Sequence, residues 1–168
     1  TPRRCVKSIF ELGFLLDTSV LSLLAPGRPA LDAGLAAWFN ENSDGLYISA
    51  VTVAEVEQGI CKLRRAGSGE RADALARWLE ALLDDGAERI LSLDANVGRI
   101  AGGLSDRATA IGRHPGFADV AIAATAVAHD LTIVTRNGRH FAPLGVAFVD
   151  PLAMLPGRRL AWFLRVPV

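Results

Sequence analysis

Short apolar runs alternate along the chain with longer segments whose apolar residues recur every three or four positions. The short runs predict five strands, at residues 12–16, 46–49, 89–93, 132–135 and 146–149. The longer segments predict helices, at residues 18–24, 30–39, 53–66, 71–83, 95–111 and 117–129. Because the strands alternate with helices, the pattern favours a parallel α/β sheet with right-handed crossovers.

Length and composition narrow this interpretation without changing it. The chain has 168 residues, enough to bury one hydrophobic core without disulfide or metal staples. Its formal net charge is +0, which argues against a polyanion-binding field over the whole surface. No apolar run approaches the roughly 20 residues of a membrane span, so we expect no membrane insertion. Cys5 and Cys61 form neither a metal knuckle nor a redox pair, and a reducing cytoplasm is the expected location.

Three acidic residues each follow a predicted strand or turn and open a predicted helix. Asp17 follows the first strand, Glu55 follows the second, and Asp119 lies in the first turn of the helix at 117–129. Each has a structural explanation. Asp17 would be a helix N-cap, Glu55 would close a capping box begun by Thr52, and Asp119 would complement the helix dipole. Taken one at a time, the acids favour these structural roles.

Taken together, the three acids predict a site. The carboxyl ends of parallel strands share one edge of the sheet, and the acids converge there if the helix of Asp119 points at the same edge. Carboxylates gathered in this way repel one another unless a cation compensates them. Oxygen ligands suit Mg²⁺ or Mn²⁺, which can activate water for attack on a phosphodiester.

Asn137 is a fourth polar candidate, because it directly follows the strand that ends at Thr135. Together with Gly138 it also forms an Asn-Gly pair, which is a strong turn signal. A turn over residues 136–140 and a site role for Asn137 are compatible, so both remain open.

Four motifs in order carry a resemblance to a known family. They lie at residues 15–20, 48–55, 119–126 and 131–137. As an ordered set they resemble the PIN-domain ribonucleases, and within them the VapC and FitB type toxins of bacterial toxin–antitoxin pairs. The resemblance covers about residues 14–151. It divides the chain into a leader or added extension at 1–12, the PIN domain at 13–151 and a C-terminal tail at 152–168.

The resemblance implies a three-layer α/β/α PIN-like fold with a small parallel sheet of about five strands. It also implies a metal-dependent endoribonuclease that uses Mg²⁺ or Mn²⁺. Asp17, Glu55 and Asp119 would then be the metal ligands, or would hold water bound to the metal. Two further roles follow for the polar residues nearby: Thr18 or Ser19 would orient Asp17, and Asn137 would take the fourth polar position.

His140 departs from the family pattern, because many relatives have an acid at this position. We expect it to lie on the surface of the turn rather than to bind the metal. Arg136 and Arg139 lie next to the predicted site and are candidates for contacts with RNA phosphates, or they are ordinary solvated arginines.

The resemblance also implies partners. A cognate antitoxin of the VapB type would insert a segment into the acidic groove, and its basic groups would neutralise the acids. A homodimer is expected, with an exposed Trp38 or Trp78 as candidate interface residues. RNA is the expected substrate, and transfer, ribosomal and messenger RNA all fit the same chemistry.

Two other functions compete with the ribonuclease. A PIN-like module that has lost catalysis would act in binding or regulation, and the changes at Asn137 and His140 motivate this alternative. A small-molecule phosphatase or response-regulator-like domain would also place an Asp at a strand end. That class predicts a lysine after a late strand, and the chain has no lysine beyond Lys62.

Overall fold

The computed structural model of the chain describes residues 13–154. Its centre is a sheet of five strands in the order β3-β2-β1-β4-β5, and every pairing is parallel. The strands are β1 (Phe14–Leu16), β2 (Leu46–Ser49), β3 (Ile90–Leu91), β4 (Thr132–Val134) and β5 (Phe148–Val149). The predicted extension at 1–12 and the tail beyond residue 154 lie outside the described residues.

Seven α-helices connect or flank these strands within the described part of the chain. They are α1 (Thr18–Leu21), α2 (Ala33–Glu41), α3 (Ala50–Arg65), α4 (Gly69–Asp85), α5 (Ala95–Ala110), α6 (Phe117–Ala128) and α7 (Gly138–Phe141). Short 3-10 turns lie at Ser22–Leu24, Ser43–Gly45, Ala87–Arg89, Ala142–Leu144 and Pro151–Met154. None of the helices between residues 13 and 154 combines the length and apolarity needed to cross a membrane.

Two hydrophobic cores lie on opposite faces of the sheet, because neighbouring residues of a strand point to opposite sides. Leu15 and Ile133 belong to the core that includes residues of α5, α6 and α7. Leu16 and Val134 belong to the core that includes residues of α1 to α4. Helices therefore cover both faces, which confirms the predicted three-layer α/β/α fold with five parallel strands.

The small-residue helix α6 is buried over an unbroken stretch of seven positions, from Val120 to Ala126. A helix that is hydrophobic on all sides is buried on all sides, and α6 lies in one core with residues of α5 and of the sheet. Its alanines allow the close packing that this central position requires.

The start of α3 differs from the sequence-based expectation. The helix begins at Ala50, and Ser49 is its N-cap, whose Oγ accepts a hydrogen bond of 3.1 Å from the backbone N of Thr52. Ser49 is the last residue of β2, so its extended backbone already has the conformation of a cap. The expected capping box of Thr52 and Glu55 is therefore wrong, and Glu55 lies inside the helix.

The segment after β4 also differs, since the expected turn at 136–140 contains the short helix α7. Gly138 begins this helix and lies against the ring of Phe148 on β5. A Cβ atom at Gly138 would be 2.5 Å from Cε2 of Phe148. The glycine of the Asn-Gly pair thus permits a close approach to β5.

Candidate active site

The order of the strands creates a crevice at the carboxyl edge of the sheet. β1 pairs with β2 on one side and with β4 on the other. The chain runs outward from β1 through β2 to β3 and then crosses back to β4, so the strand order reverses between β1 and β4. Open α/β sheets bind ligands at such a switch point. Asp17 directly follows β1, and its backbone N donates a hydrogen bond of 3.0 Å to the carbonyl oxygen of Val134 at the end of β4.

Asp17 is the most buried acid of this edge, with only 6% of its surface exposed. Its Oδ2 accepts hydrogen bonds from Ser19 Oγ at 2.6 Å and from Thr135 Oγ1 at 2.8 Å. Asp17 occupies the N-cap position of α1, but its side chain makes no capping hydrogen bond. The helix-cap explanation of this residue is therefore wrong, and the carboxylate is instead held by two hydroxyl groups.

Thr135 is a partner of Asp17 that the sequence reasoning missed. It follows β4, is fully buried, and connects the site to the next loop because its Oγ1 also accepts a hydrogen bond of 2.9 Å from the backbone N of Asn137. The available signal was a hydroxyl residue at the carboxyl end of a buried strand beside β1. Such a residue lies at the same edge as Asp17 and needs a hydrogen-bond partner when buried.

Ser19 makes a second connection of the same kind. Its Oγ donates to Asp17 and accepts a hydrogen bond of 3.1 Å from the backbone N of Arg136. The hydroxyls of Ser19 and Thr135 therefore each join the carboxylate of Asp17 to the backbone of the loop between β4 and α7. This network fixes both the acid and the start of the loop.

Glu55 lies on α3 and is half-buried. Its Oε2 accepts a short hydrogen bond from Oγ1 of Thr18, at the start of α1. Of the two hydroxyl residues expected to orient Asp17, Ser19 does so, whereas Thr18 holds Glu55. Consecutive residues of one short helix thus contact two different acids.

Asp119 lies in the first turn of α6, in the position that complements the helix dipole. His140 on α7 contacts it: Nδ1 is 3.3 Å from Oδ2 and 3.4 Å from Oδ1 of Asp119. Both side chains are partly exposed. His140 is therefore more than a surface residue of a turn, because it is the partner of one of the three acids.

The three acids do not form a single compact group. No three carboxylate, imidazole or thiol side chains within residues 13–154 lie close enough together to make a ready metal site. Instead, Ser19 of α1 and Thr135 after β4 hold Asp17, Thr18 of α1 holds Glu55, and His140 of α7 contacts Asp119. The convergence of the three acids at one edge of the sheet stays a prediction.

The remaining predicted residues border the site on the solvent side. Asn137 is exposed, and its side chain makes no capping hydrogen bond to α7 although it occupies the N-cap position. Arg136 and Arg139 are also exposed. An open pocket of about 310 Å³ lies beside Asp119, and its lining residues are Arg113, His114, Pro115, Gly116, Asp119, His140 and Pro143.

The chemistry of the donor set fits a hard divalent cation. Both hydroxyl hydrogen bonds to Asp17 fall on Oδ2, and no hydrogen bond from the described residues falls on Oδ1. No fully buried side-chain oxygen of residues 13–154 lacks a partner, so Oδ1 is not sealed from solvent. A carboxylate that is fixed through one oxygen and accessible through the other suits Mg²⁺ or Mn²⁺, and hydroxyls that hold a ligand in place are typical of metal sites.

The fold and the site together define an α/β protein with carboxylates at the switch point of a five-stranded parallel sheet. The family model described as "PIN domain" matches residues 14–145. The chain belongs to the PIN domain family, which confirms the resemblance carried by the four sequence motifs.

Named relatives and a solved structure agree with this assignment. Toxin FitB of Neisseria gonorrhoeae is 36% identical over 139 residues, covering 82% of this chain and 96% of FitB. VapC ribonuclease Y4jK of Sinorhizobium fredii is 34% identical over 139 residues, with the same coverage of each chain. The crystal structure of FitAcB from Neisseria gonorrhoeae superposes with a TM-score of 0.72 at 35% identity, covering 83% of this chain and 98% of that one.

Proposed function

We propose that the chain is a metal-dependent endoribonuclease and the toxin of a toxin–antitoxin pair. The observation that carries the proposal is the state of Asp17, a nearly buried carboxylate that two hydroxyls hold through Oδ2 while Oδ1 stays accessible. Helix capping does not account for this acid, since its side chain makes no capping hydrogen bond to the helix that it precedes. The names of the VapC and FitB relatives support the same function.

Asp17, Glu55 and Asp119 would hold Mg²⁺ or Mn²⁺ at the carboxyl edge. When bound, the ion would supply the activation of a water for in-line attack on phosphorus and the stabilisation of negative charge on the phosphate. The side-chain hydrogen bonds that Asp17 and Glu55 accept from described residues all come from hydroxyl groups, and none comes from a histidine.

Each of the three acids would be held in position by a different set of side chains. Ser19 and Thr135 keep the carboxylate of Asp17 in one orientation, and Thr18 does the same for Glu55. His140 restrains Asp119. Preorganised ligands need no rearrangement when the cation and the substrate arrive, which is how a fixed polar environment contributes to catalysis.

Exposed polar groups around the crevice would receive the RNA. Arg136 and Arg139 stand on the loop and helix that follow β4, where their exposed guanidinium groups can contact phosphates. Asn137 lies between them in sequence and is exposed, so its amide can hydrogen-bond the substrate or water at the site.

An antitoxin is the second partner that we propose. The relative named Toxin FitB supports this assignment, because a cell that makes such a toxin needs a partner that holds it inactive. A cationic segment of a VapB-type antitoxin would neutralise the carboxylates of Asp17, Glu55 and Asp119 and so block the site. A homodimer and a cytoplasmic location belong to the same proposal.

Metal removal and restoration test the enzyme directly. We expect the chelated protein to leave RNA intact and to cleave it once Mn²⁺ is added back. Glu55→Gln should reduce that cleavage, whereas Glu57→Gln should not, because Glu57 is exposed on the same helix. Equal cleavage by chelated and Mn²⁺-loaded protein would contradict the proposal.

A catalytically inactive PIN-like module is the alternative, and one observation favours it: the acids do not form a ready metal group within residues 13–154. Calorimetric titration with Mn²⁺ separates the two. Binding that is lost in Asp17→Asn supports the enzyme, whereas a folded protein that takes up no Mn²⁺ supports the module.

A further inference from the structure

The loop between α5 and α6, together with the first residue of α6, presents two large apolar side chains to solvent. Phe117 is 72% exposed and Ile111 is 66% exposed, more than any other large apolar side chain of the described residues. Apolar groups left in water next to polar ones mark interaction sites. The loop leads directly into α6, whose first turn contains Asp119. A binding partner that covers Phe117 would therefore lie beside the candidate active site.

Basic groups accompany these apolar groups. Arg113 and His114 are exposed and line the pocket of about 310 Å³ that also includes Asp119 and His140. Arg113 makes no ion pair with any acid in the described part of the chain, where the ion pairs involve other residues. The loop therefore offers an aromatic ring and an available guanidinium within a few residues of each other.

We propose that residues 111–117 form a platform for an unpaired RNA strand, with Phe117 stacking on a base and Arg113 contacting a phosphate. This inference rests on the proposed ribonuclease function and assigns a surface that would bind the strand beside the site. Every base has a π-face, but the face is accessible only where the strand is unpaired. Arg113 places a positive charge at the wall of the pocket that Asp119 also lines, where it attracts a phosphate of the strand.

The occupant that fits this surface best is a nucleic acid strand rather than an apolar protein face. An apolar partner would leave the guanidinium of Arg113 and the polar wall of the pocket without complementary groups. A single strand supplies a stacking face and a negative charge at alternating positions, which matches Phe117 and Arg113 in kind. A second copy of the chain covering Phe117 is the competing outcome of the test below.

Binding of a fluorescein-labelled single-stranded RNA, followed by anisotropy, tests the platform. The measurement uses the full chain carrying Asp17→Asn, so that the RNA stays intact, and compares the strand with its fully paired duplex. Adding Phe117→Ala should weaken binding of the single strand about tenfold, and Phe117→Trp should preserve it. Val127→Ala is the matched control, because Val127 is 49% exposed near the other end of the same helix. We expect it to bind like the parent.

The contribution of Arg113 is visible in the salt dependence. Removing one phosphate contact to a single strand lowers the slope of the logarithm of the binding constant against the logarithm of salt concentration by about 0.7. Arg113→Gln should show this change, whereas Arg99→Gln, an exposed arginine on α5, should keep the parent slope.

Three results would overturn the platform. The first is parent-like binding of the single strand by Phe117→Ala. The second is an equal loss of binding for duplex and single strand. The third is a change in the size of the free protein on Phe117→Ala with RNA binding unaltered, which would assign Phe117 to a contact between copies. If the chain with Asp17 intact cleaves RNA, these results reject the platform alone. If that chain neither binds nor cleaves RNA, the proposed function fails as well.

Discussion

The hydroxyl of Thr135 donates a hydrogen bond of 2.8 Å to Oδ2 of Asp17, joining residues that are 118 positions apart in the sequence. The two residues follow the neighbouring strands β4 and β1, and both are buried. The bond therefore links the fold to the candidate site, because the register of the two central strands sets the orientation of the acid.

Replacing Thr135 tests this link. Thr135→Val keeps the shape of the side chain but removes the donor to Asp17 and the acceptor for the backbone N of Asn137. The buried carboxylate of Asp17 would keep only the hydrogen bond from Ser19, and the backbone N of Asn137 would lose its acceptor, which should lower the free energy of unfolding by about 1–3 kcal/mol. Urea denaturation measures the loss, and Thr135→Ser, which retains the hydroxyl, should recover most of it. Equal stability of the valine and serine variants would show that the hydrogen bond does not contribute to the free energy of unfolding.

The cap of α3 gives a second prediction. Ser49→Ala removes the side chain that accepts from the backbone N of Thr52 and should cost about 1 kcal/mol in unfolding free energy. Ser68→Ala is the matched control, since Ser68 occupies the N-cap position of α4 but its side chain makes no capping hydrogen bond. A cost for Ser68→Ala as large as that for Ser49→Ala would contradict the assignment of the cap.

Replacement by alanine should have opposite effects on stability at two glycines. Gly138→Ala should destabilise the protein, because the new Cβ would lie 2.5 Å from the ring of Phe148. Gly59→Ala should stabilise it by about 0.5–1 kcal/mol, because Gly59 lies inside α3 and a Cβ there meets nothing within 4 Å. Thermal unfolding of the two variants gives the signs. A stabilised Gly138→Ala protein would mean that the loop can move away from β5.

The contact between His140 and Asp119 predicts a change in metal affinity, provided that Asp119 is a ligand as proposed. His140→Ala removes the group that restrains the carboxylate and should weaken Mn²⁺ binding about tenfold, as is usual for partners of metal ligands. His140→Gln can still donate to the carboxylate and should lose less. Calorimetric titration of Mn²⁺ measures both, and unchanged affinity in His140→Ala would remove His140 from the site.

Local patterns predicted most of the fold, because they act over the lengths at which strands and helices form. The apolar runs at β1, β2 and β4 are covered on both sides by helices, so each is a continuous run with an abrupt polar end. Strand β3 is shorter than the predicted strand at 89–93 and consists of Ile90 and Leu91 alone. The residues directly before it, Ala87–Arg89, form a 3-10 turn.

The site was less predictable, because its hydrogen bonds join distant parts of the chain. An acid after a strand predicts either a cap or a site, and the structure removes the cap for Asp17, because Thr135 beside β1 donates to its side chain and that side chain makes no capping hydrogen bond. In the same way, the choice of Glu55 as the partner of Thr18 depends on how α1 packs beside α3. The sequence places the acids at one edge of the sheet, but the distances between them depend on packing.

Cleavage of RNA by the full chain in Mn²⁺, compared with the Asp17→Asn variant, is the most direct test of the central proposal. The substitution keeps the shape of the side chain but removes its negative charge, and cleavage should fall by about 100-fold or more. Asp106→Asn, at an exposed position on α5, should cleave like the parent. Undiminished cleavage by pure, folded Asp17→Asn protein would contradict the assignment of Asp17 to the catalytic centre.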